Sequence, residues 1–301
     1  MAKDTLKLLA ILAVLALLNG NALADNNATS TTTGDDNVST ITQDGDGQLA
    51  DVIQDGDDND SDVKQDGLDN TATVVQEINN DSIVDQNGEG NTAIVGQHSN
   101  PVSTNTNNVS DISQIGDGNM ATVAQDDSNM SDIDQIGDGN MATVDQTNFN
   151  GLDDNDSTVL QDGDNNVANV QQDGNLNTST IDQLGDDNEA SVSQSGTSNV
   201  ATVTQDDDNV ATVAQGGDNN VATVTQQTGN TANVDQGGDN NTATVNQKFA
   251  FNAPSIGNTA TIVQSGDYNE ATTNQDDNNT ATVTQLGIGT AVDPNTVLIN
   301  Q

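Results

Sequence analysis

The sequence lacks cysteine and tryptophan, and its 301 residues include one tyrosine, three phenylalanines and three prolines. Without cysteine, a disulfide framework and a thiolate metal site are both excluded. With so few aromatic residues, a core built on large rings is excluded as well. The fold must therefore depend on small and aliphatic side chains and on hydrogen bonds.

Positive charge is also scarce. The chain has four lysines and no arginine against 47 Asp and Glu residues, which gives a formal net charge of −43. Phosphate binding requires clustered Lys and Arg, so the composition argues against nucleic acids and anionic membranes as partners. High net charge with low hydrophobicity is typical of unfolded chains, so we expect a newly secreted monomer to stay unfolded for a time.

Residues 8–18 form an apolar run of eleven residues near the start of the chain. Lys3 and Lys7 precede it, and Ala22 and Ala24 form a small-x-small cleavage site after it. This order is typical of a secretion signal, and the run is too short to span a bilayer. We predict a signal peptide over residues 1–24, a mature chain that begins near Asp25, and no membrane segment.

The most informative feature present is a seven-residue unit, Asn-x-(Ala/Ser)-x-(Val/Ile)-x-Gln, which occurs 23 times between residues 37 and 301, with three single exceptions at Gln48, Thr273 and Val297. We number its positions 0 to 6. The restricted positions are all even, the variable positions are all odd, and Asp, Gly, Asn and Ser separate the units. A period of two bounded by turn residues predicts β-strands with one specified face. The even positions should face a thin core and the odd positions solvent.

Position 2 indicates how many strands make one turn of the coil. Ser and Ala alternate there through fourteen consecutive units, from Ser39 to Ala190, so odd and even units lie in different environments. Two strands per rung produce this alternation, whereas three would mix Ser and Ala within each column. The predicted fold class is all-β: a β-solenoid of two parallel sheets, with two strands per rung, about 11.5 rungs and an amyloid-like cross-β stack.

Identical residues should then form columns along the stack. Asn over Asn and Gln over Gln can pair their side-chain amides or bond to the turn backbone, while Ala and Val fill the interior. The predicted structural ladder is illustrated by two stacked units, with residues Asn199, Ala201, Val203, Gln205, Asn220, Ala222, Val224 and Gln226.

Other segments interrupt or precede the repeat. Residues 25–36 are predicted to be a flexible N-terminal export segment, and residues 37–301 to be the solenoid. Four long connections, at 98–107, 147–154, 248–257 and 286–294, contain all the Pro and Phe residues. We interpret them as surface insertions, with binding of a partner or of a neighbouring fibre as the alternative.

The paired units resemble the curlin repeat of bacterial curli subunits. Asn177-Thr-Ser-Thr-Ile-Asp-Gln183 and Asn188-Glu-Ala-Ser-Val-Ser-Gln194 match that family's order of polar, small, aliphatic and Gln residues with Gly and Asn turns. The resemblance covers residues 37–301 together with the signal peptide.

This resemblance implies a secreted, major-subunit-like structural protein of an extracellular curli fibre, or pilus, at the bacterial cell surface. Such a functional amyloid builds biofilm matrix and supports cell adhesion. The resemblance also implies two partners, a nucleating curlin subunit and an outer-membrane pore through which the unfolded chain is exported.

The ends of the repeat suggest why a stack should polymerise. No atypical capping unit is evident at either end, whereas soluble solenoids cover their ends. Head-to-tail contacts do not close and so produce filaments. The predicted polymerisation ends are Asn37, Ser39, Ile41, Gln43, Asn295, Val297, Ile299 and Gln301. Because Asp-rich turns would stack along the fibre, we expect salt, acid or Ca²⁺ to accelerate growth.

The alternative function is a monomeric secreted β-solenoid that binds Ca²⁺ through its Asp turns or ice through a Thr face. The spacing is wrong for nonapeptide calcium rolls. Units with Thr at both positions 3 and 5 have both parities, so we expect no single continuous Thr face from them. We predict no catalytic residue, metal site or cofactor, because the Asp pairs lie in equivalent, solvated turns.

Overall fold

The computed structural model describes residues 11–16, 25–98, 107–147, 154–248, 257–276 and 278–301, which form 25 strands. In chain order, β1 to β25 are Ile11–Ala16, Asn27–Thr33, Val38–Asp46, Leu49–Asp55, Asp60–Leu68, Thr71–Gln76, Asp81–Glu89, Thr92–His98, Val109–Ile115, Met120–Asp126, Met130–Ile136, Met141–Gln146, Asp156–Asp162, Val167–Asn175, Thr178–Leu184, Glu189–Thr197, Val200–Gln205, Val210–Gln215, Val221–Gln226, Thr231–Gln236, Thr242–Lys248, Thr259–Gln264, Asn269–Asp276, Thr280–Gln285 and Asn295–Asn300.

These strands alternate between two parallel sheets, which confirms the predicted solenoid with two strands per rung. The thirteen odd-numbered strands form sheet A and the twelve even-numbered strands form sheet B. Each strand pairs with the strand two places along, like residue on like residue, as Ala201 opposite Ala222 and Gln205 opposite Gln226. In the described part of the chain, no helix is long and apolar enough to cross a membrane.

The core is the narrow space between the sheets, and its composition follows the period of two. Positions 2 and 4 are buried, as at Ala201 and Val203, whereas the odd positions are mostly half-buried or exposed. The Ser/Ala alternation has the predicted origin: Ser stands in sheet A and Ala in sheet B. From β17 onward sheet A also has Ala, starting with Ala201.

Glycine shapes the turns that lead from sheet A to sheet B. Gly116 has φ +117°, and a β-carbon there would overlap the carbonyl of Gly137 in the next rung. Beside these glycines the Asp side chains accept backbone hydrogen bonds between rungs, as from Asp117 N to Asp138 Oδ1 at 2.8 Å. The turns are therefore stacked as closely as the strands.

Two strands lie outside the 23 units. β2 pairs in parallel with β4, so the prediction of a flexible segment over 25–36 is wrong for Asn27–Thr33. This strand is a degenerate unit, with Asn26 at position 0, Ala28 at position 2, Ser30 at position 4 and Thr32 at position 6. β2 to β25 are 24 strands, so they make twelve two-strand rungs instead of eleven and a half.

The remaining parts of the chain are the first strand and the four long connections. β1 lies inside the predicted signal peptide and pairs with β3 at the end of sheet A. Three of the predicted insertions, 98–107, 147–154 and 248–257, lie mostly outside the described residues. The fourth, 286–294, is described, and in it Ile288 and Val292 are exposed beside an antiparallel bridge between Thr290 and Asp293.

Candidate functional site: the ladders and the ends of the stack

Glutamines at position 6 form a hydrogen-bonded ladder in each sheet. Gln183 Nε2 donates to Gln205 Oε1, and Gln205 Nε2 donates to Gln226 Oε1, each at 3.0 Å. The second amide proton of Gln205 goes to the carbonyl of Glu189 in sheet B, at 3.1 Å. Each such glutamine therefore connects rungs along the axis and also joins the two sheets across it.

Asparagines at position 0 form a different ladder, in which most partners are backbone groups. The backbone N–H of Asn220 donates to Asn199 Oδ1 at 3.0 Å. Asn199 Nδ2 donates to the carbonyls of Ser195 and Gly217 at 3.0 and 2.9 Å and also approaches Asn177 Oδ1 at 3.2 Å. The expected amide pairing thus describes the Gln column, whereas the Asn column mainly satisfies buried turn backbone.

Both glutamine ladders are polar along the stack. In sheet A the ladder runs from Gln43 to Gln275, and every Nε2 donates toward the C-terminal end. At the N-terminal end of sheet B, Gln54 Oε1 is buried without a hydrogen-bond partner, because β2 has Thr32 at that register position. The N-terminal end of the stack presents acceptors. At the C-terminal end of sheet A, Gln275 Nε2 donates to the carbonyls of Thr259 and Asn279, and the exposed amide of Gln301 lies beyond the ladder. Head-to-tail contact matches donors with acceptors, whereas head-to-head contact would oppose acceptors.

The C-terminal end is an open edge with an uncovered core. β25 is the last strand of sheet A, and the backbone N–H of Gln301 continues its pairing with β23 by donating to the carbonyl of Asn274 at 2.9 Å. Val297 and Ile299 are only partly buried, although Ala271 and Thr273 at the same positions of β23 are fully buried. An added rung would bury both side chains.

The N-terminal end is built from β2 in sheet B and from β3 in sheet A, with β1 on the outer side of β3. Within the first repeat unit, Asn37, Ser39 and Ile41 are buried and Gln43 is partly buried. Residues of the first and last units therefore lie toward opposite ends of the same sheet. The sequence reasoning missed β2, although Asn26 stands 22 residues before Gln48 and accepts its backbone N–H at 3.0 Å. That two-strand spacing was the available signal.

The residues chosen for the structural ladder lie on β17 and β19, apart from Asn199 and Asn220, which immediately precede those strands. All eight are buried in the core of sheet A. Asn199, Ala201, Val203 and Gln205 stack on Asn220, Ala222, Val224 and Gln226.

The outer face of sheet A is strongly acidic over its early strands. Burial and then neighbouring carboxylates raise the pKa of Asp62, Asp111 and Asp132. Lys64 contacts Asp85 at 2.9 Å, and this hydrogen bond raises the lysine pKa. Among the described residues no group of three or more His, Cys, Asp or Glu side chains is placed to hold a metal ion.

The same face becomes rich in threonine toward the C-terminal end. Units with Thr at both positions 3 and 5 do not form one continuous face, since β24 carries one of them in sheet B. A continuous column does exist at position 3 alone, over six successive strands of sheet A: Thr158, Thr180, Thr202, Thr223, Thr244 and Thr272.

Comparison with known proteins identifies the repeat. Five segments match the family profile described as Curlin associated repeat: residues 34–67, 45–77, 153–185, 185–206 and 257–287. No curated protein matches the chain.

Proposed function

Since this chain is a curlin-repeat protein, we propose that it is the structural subunit of an extracellular curli-like amyloid fibre, in which copies stack head to tail. The observation that supports this most is the set of strands at the two ends of the stack: β2, β24 and β25 have no neighbour on their outer side in the described residues, and β3 has only β1, which lies in the predicted signal peptide. Each edge continues the register, the core columns and the ladder polarity of the other. The proposed role is mechanical and needs no catalytic site or cofactor.

The proposed joint places β25 of one copy on β3 of the next and β24 on β2. Asn295 then stacks on Asn37, Val297 on Ser39, Ile299 on Ile41 and Gln301 on Gln43. Such a joint buries the partly open core of β25 and offers the Gln301 amide an acceptor at Gln43. Because each copy contributes two-strand rungs, the fibre continues without a change of period.

Export is part of the proposal. Residues 1–24 have the features of a cleaved secretion signal, and cleavage there would remove β1 and leave β3 as an edge strand. The curlin repeats support a nucleating curlin subunit and an outer-membrane export pore as further partners, with residues 25–36 as the export segment. A biofilm matrix and cell adhesion are the roles we assign to the fibre.

The proposed joint is tested by growth of the mature chain, residues 25–301. Deletion of Asn295 to Gln301 should slow elongation, because it removes β25. A sharper pair is Ile299→Asp against Leu298→Asp: Ile299 faces the core at the joint, while Leu298 is 60% exposed on the outside. We expect loss of thioflavin-monitored growth for Ile299→Asp only. Unchanged growth of Ile299→Asp and of the truncation would contradict the joint.

A second candidate function is ice binding, which the threonine column in sheet A favours. Strands in a sheet lie about 4.8 Å apart, so the column presents hydroxyl and methyl groups at a regular spacing. Thermal hysteresis of the soluble monomer tests this function directly. Hysteresis that disappears on Thr223→Lys would establish it.

A further inference from the structure

The outward faces of the two sheets differ sharply in charge over the same rungs. At the outward positions 1, 3 and 5 of sheet A, strands β5 to β15 carry nine carboxylates: Asp60, Asp62, Asp81, Asp85, Asp111, Asp132, Asp134, Asp156 and Asp182. At the same three positions of sheet B, strands β4 to β14 carry two, Asp51 and Asp145; Asp55, Asp126 and Asp173 follow only after position 6 of their units. We call the outward side of β4 to β14 the uncharged face.

Large aliphatic residues occupy the uncharged face. Leu49, Ile53, Ile94, Met120 and Met141 are about two-fifths exposed (38 to 42%), and threonines lie between them. From β17 onward sheet A carries one carboxylate at positions 1, 3 and 5, Glu270, but there threonine and asparagine accompany small valines. Several exposed large aliphatic side chains on one weakly charged face indicate an interaction surface.

We propose that the uncharged face pairs with the same face of a second copy, so that two filaments associate side by side. This rests on the proposed fibre for its repetition, although the contact itself needs only two chains. Charge determines which faces of two copies can come together. Because the chain has a net charge of −43, two copies repel each other through the turns and through the early strands of sheet A. The uncharged face lets them meet while bringing the fewest carboxylates together.

The available area suits a contact that becomes stable by repetition. Six strands about 4.8 Å apart and about 20 Å long present roughly 500 Å² per chain. Two such faces give roughly 1,000 Å², near the lower limit for a specific interface. An isologous contact of this kind recurs at every subunit of a filament, so its avidity grows with fibre length.

The chain provides a matched pair of variants. Ile94 and Ile83 both occupy position 3 of consecutive units, at 42% and 45% exposure, on sheets B and A respectively. Aspartate at position 3 is native to this fold, as at Asp51 in β4 and Asp132 in β11. Both Ile94→Asp and Ile83→Asp should therefore fold.

The test is fibre width by negative-stain electron microscopy of the mature chain, with thioflavin growth measured in parallel. We expect paired filaments for the wild type and for Ile83→Asp, and at least a fivefold loss of pairing for Ile94→Asp at unchanged growth rate. If no fibre forms, the proposed function fails, and sedimentation of the soluble chain decides this proposal: an Ile94-dependent dimer supports it and a monomer contradicts it. Equal pairing of Ile94→Asp and wild type, or wild-type filaments that remain single, would overturn it. So would single filaments that bind phosphatidylcholine vesicles through Ile94, which would assign the face to lipid.

Discussion

Two adjacent glutamines in β14 show what position 6 does at the scale of a residue. Gln171 points outward and is exposed, whereas Gln172 is buried. Gln172 Nε2 donates to Gln194 Oε1 at 2.9 Å and to the carbonyl of Asp156 at 3.0 Å, while its Oε1 accepts from Gln146 at 2.7 Å. Gln172 therefore makes three hydrogen bonds, two along the stack to other glutamines and one across it to the backbone of sheet A.

Substitution by leucine should affect stability differently at these two residues. Gln172→Leu should lower the free energy of unfolding by about 3 kcal/mol, because it leaves buried donors and acceptors unpaired. Gln171→Leu should change it by less than about 0.5 kcal/mol. Urea unfolding of the monomer measures both. Equal, small effects would show that the ladder contributes little.

For serine at position 2 we expect the opposite effect, a gain in unfolding free energy on substitution. The Ser110 hydroxyl is buried without a hydrogen-bond partner, as are the equivalent hydroxyls in the other early strands of sheet A. Ser110→Ala should therefore raise the unfolding free energy by about 1 kcal/mol. Ser113→Ala, at a half-buried outward position of the same strand, is the control and should be neutral. A loss of stability in Ser110→Ala would reveal a role for the hydroxyl that the structure does not explain.

At the scale of an element, the turns restrict which residues they accept as strongly as the strands do. Gly116 and Gly118 lie in one turn and both have positive φ, but a β-carbon at Gly116 would overlap the next rung, whereas the space beside Gly118 is open. Gly116→Ala should cost at least about 3 kcal/mol, and Gly118→Ala about 1 kcal/mol. Thermal unfolding of the two variants tests this order. Equal losses would mean that backbone conformation alone governs the turn.

The strands and their assignment to two sheets were predictable because the period of two and the Ser/Ala alternation both follow from burial. β2 was missed because Ser30 stands where 22 of the 23 units have Val or Ile, and Thr32 where all of them have Gln. The different partners of Asn and Gln were also beyond sequence reasoning. They depend on side-chain length: Gln reaches its neighbour's amide, while Asn reaches the nearby turn carbonyls.

At the scale of the whole molecule, charge opposes both folding and assembly. The raised pKa values of Asp62, Asp111 and Asp132 mean that the folded chain binds protons more tightly than the unfolded chain. Stability should therefore rise as pH falls from 7 through these raised values, and the gain is complete below the ordinary Asp pKa of about 4. Added salt should act in the same direction.

Urea midpoints of the mature monomer at pH 7 and pH 5 measure this effect, with the higher midpoint expected at pH 5. Asp132→Asn should be more stable than wild type at pH 7, and the difference should shrink as the wild-type carboxyl becomes protonated. A midpoint that falls between pH 7 and pH 5 would show that these carboxylates are not destabilising.

Head-to-tail stacking in register is tested most directly by disulfide cross-linking between two cysteine variants, which the cysteine-free chain permits. Thr296 in β25 and Val38 in β3 should lie opposite each other across the joint, about 5 Å apart between Cα atoms, within disulfide range. Asp60 pairs with Val38 one rung further in, so it provides the out-of-reach control. Fibres mixed from Thr296→Cys and Val38→Cys chains should form covalent heterodimers on oxidation, and mixtures with Asp60→Cys should not. Fibres that give no Thr296–Val38 cross-link, or that give Thr296 homodimers instead, would contradict head-to-tail assembly.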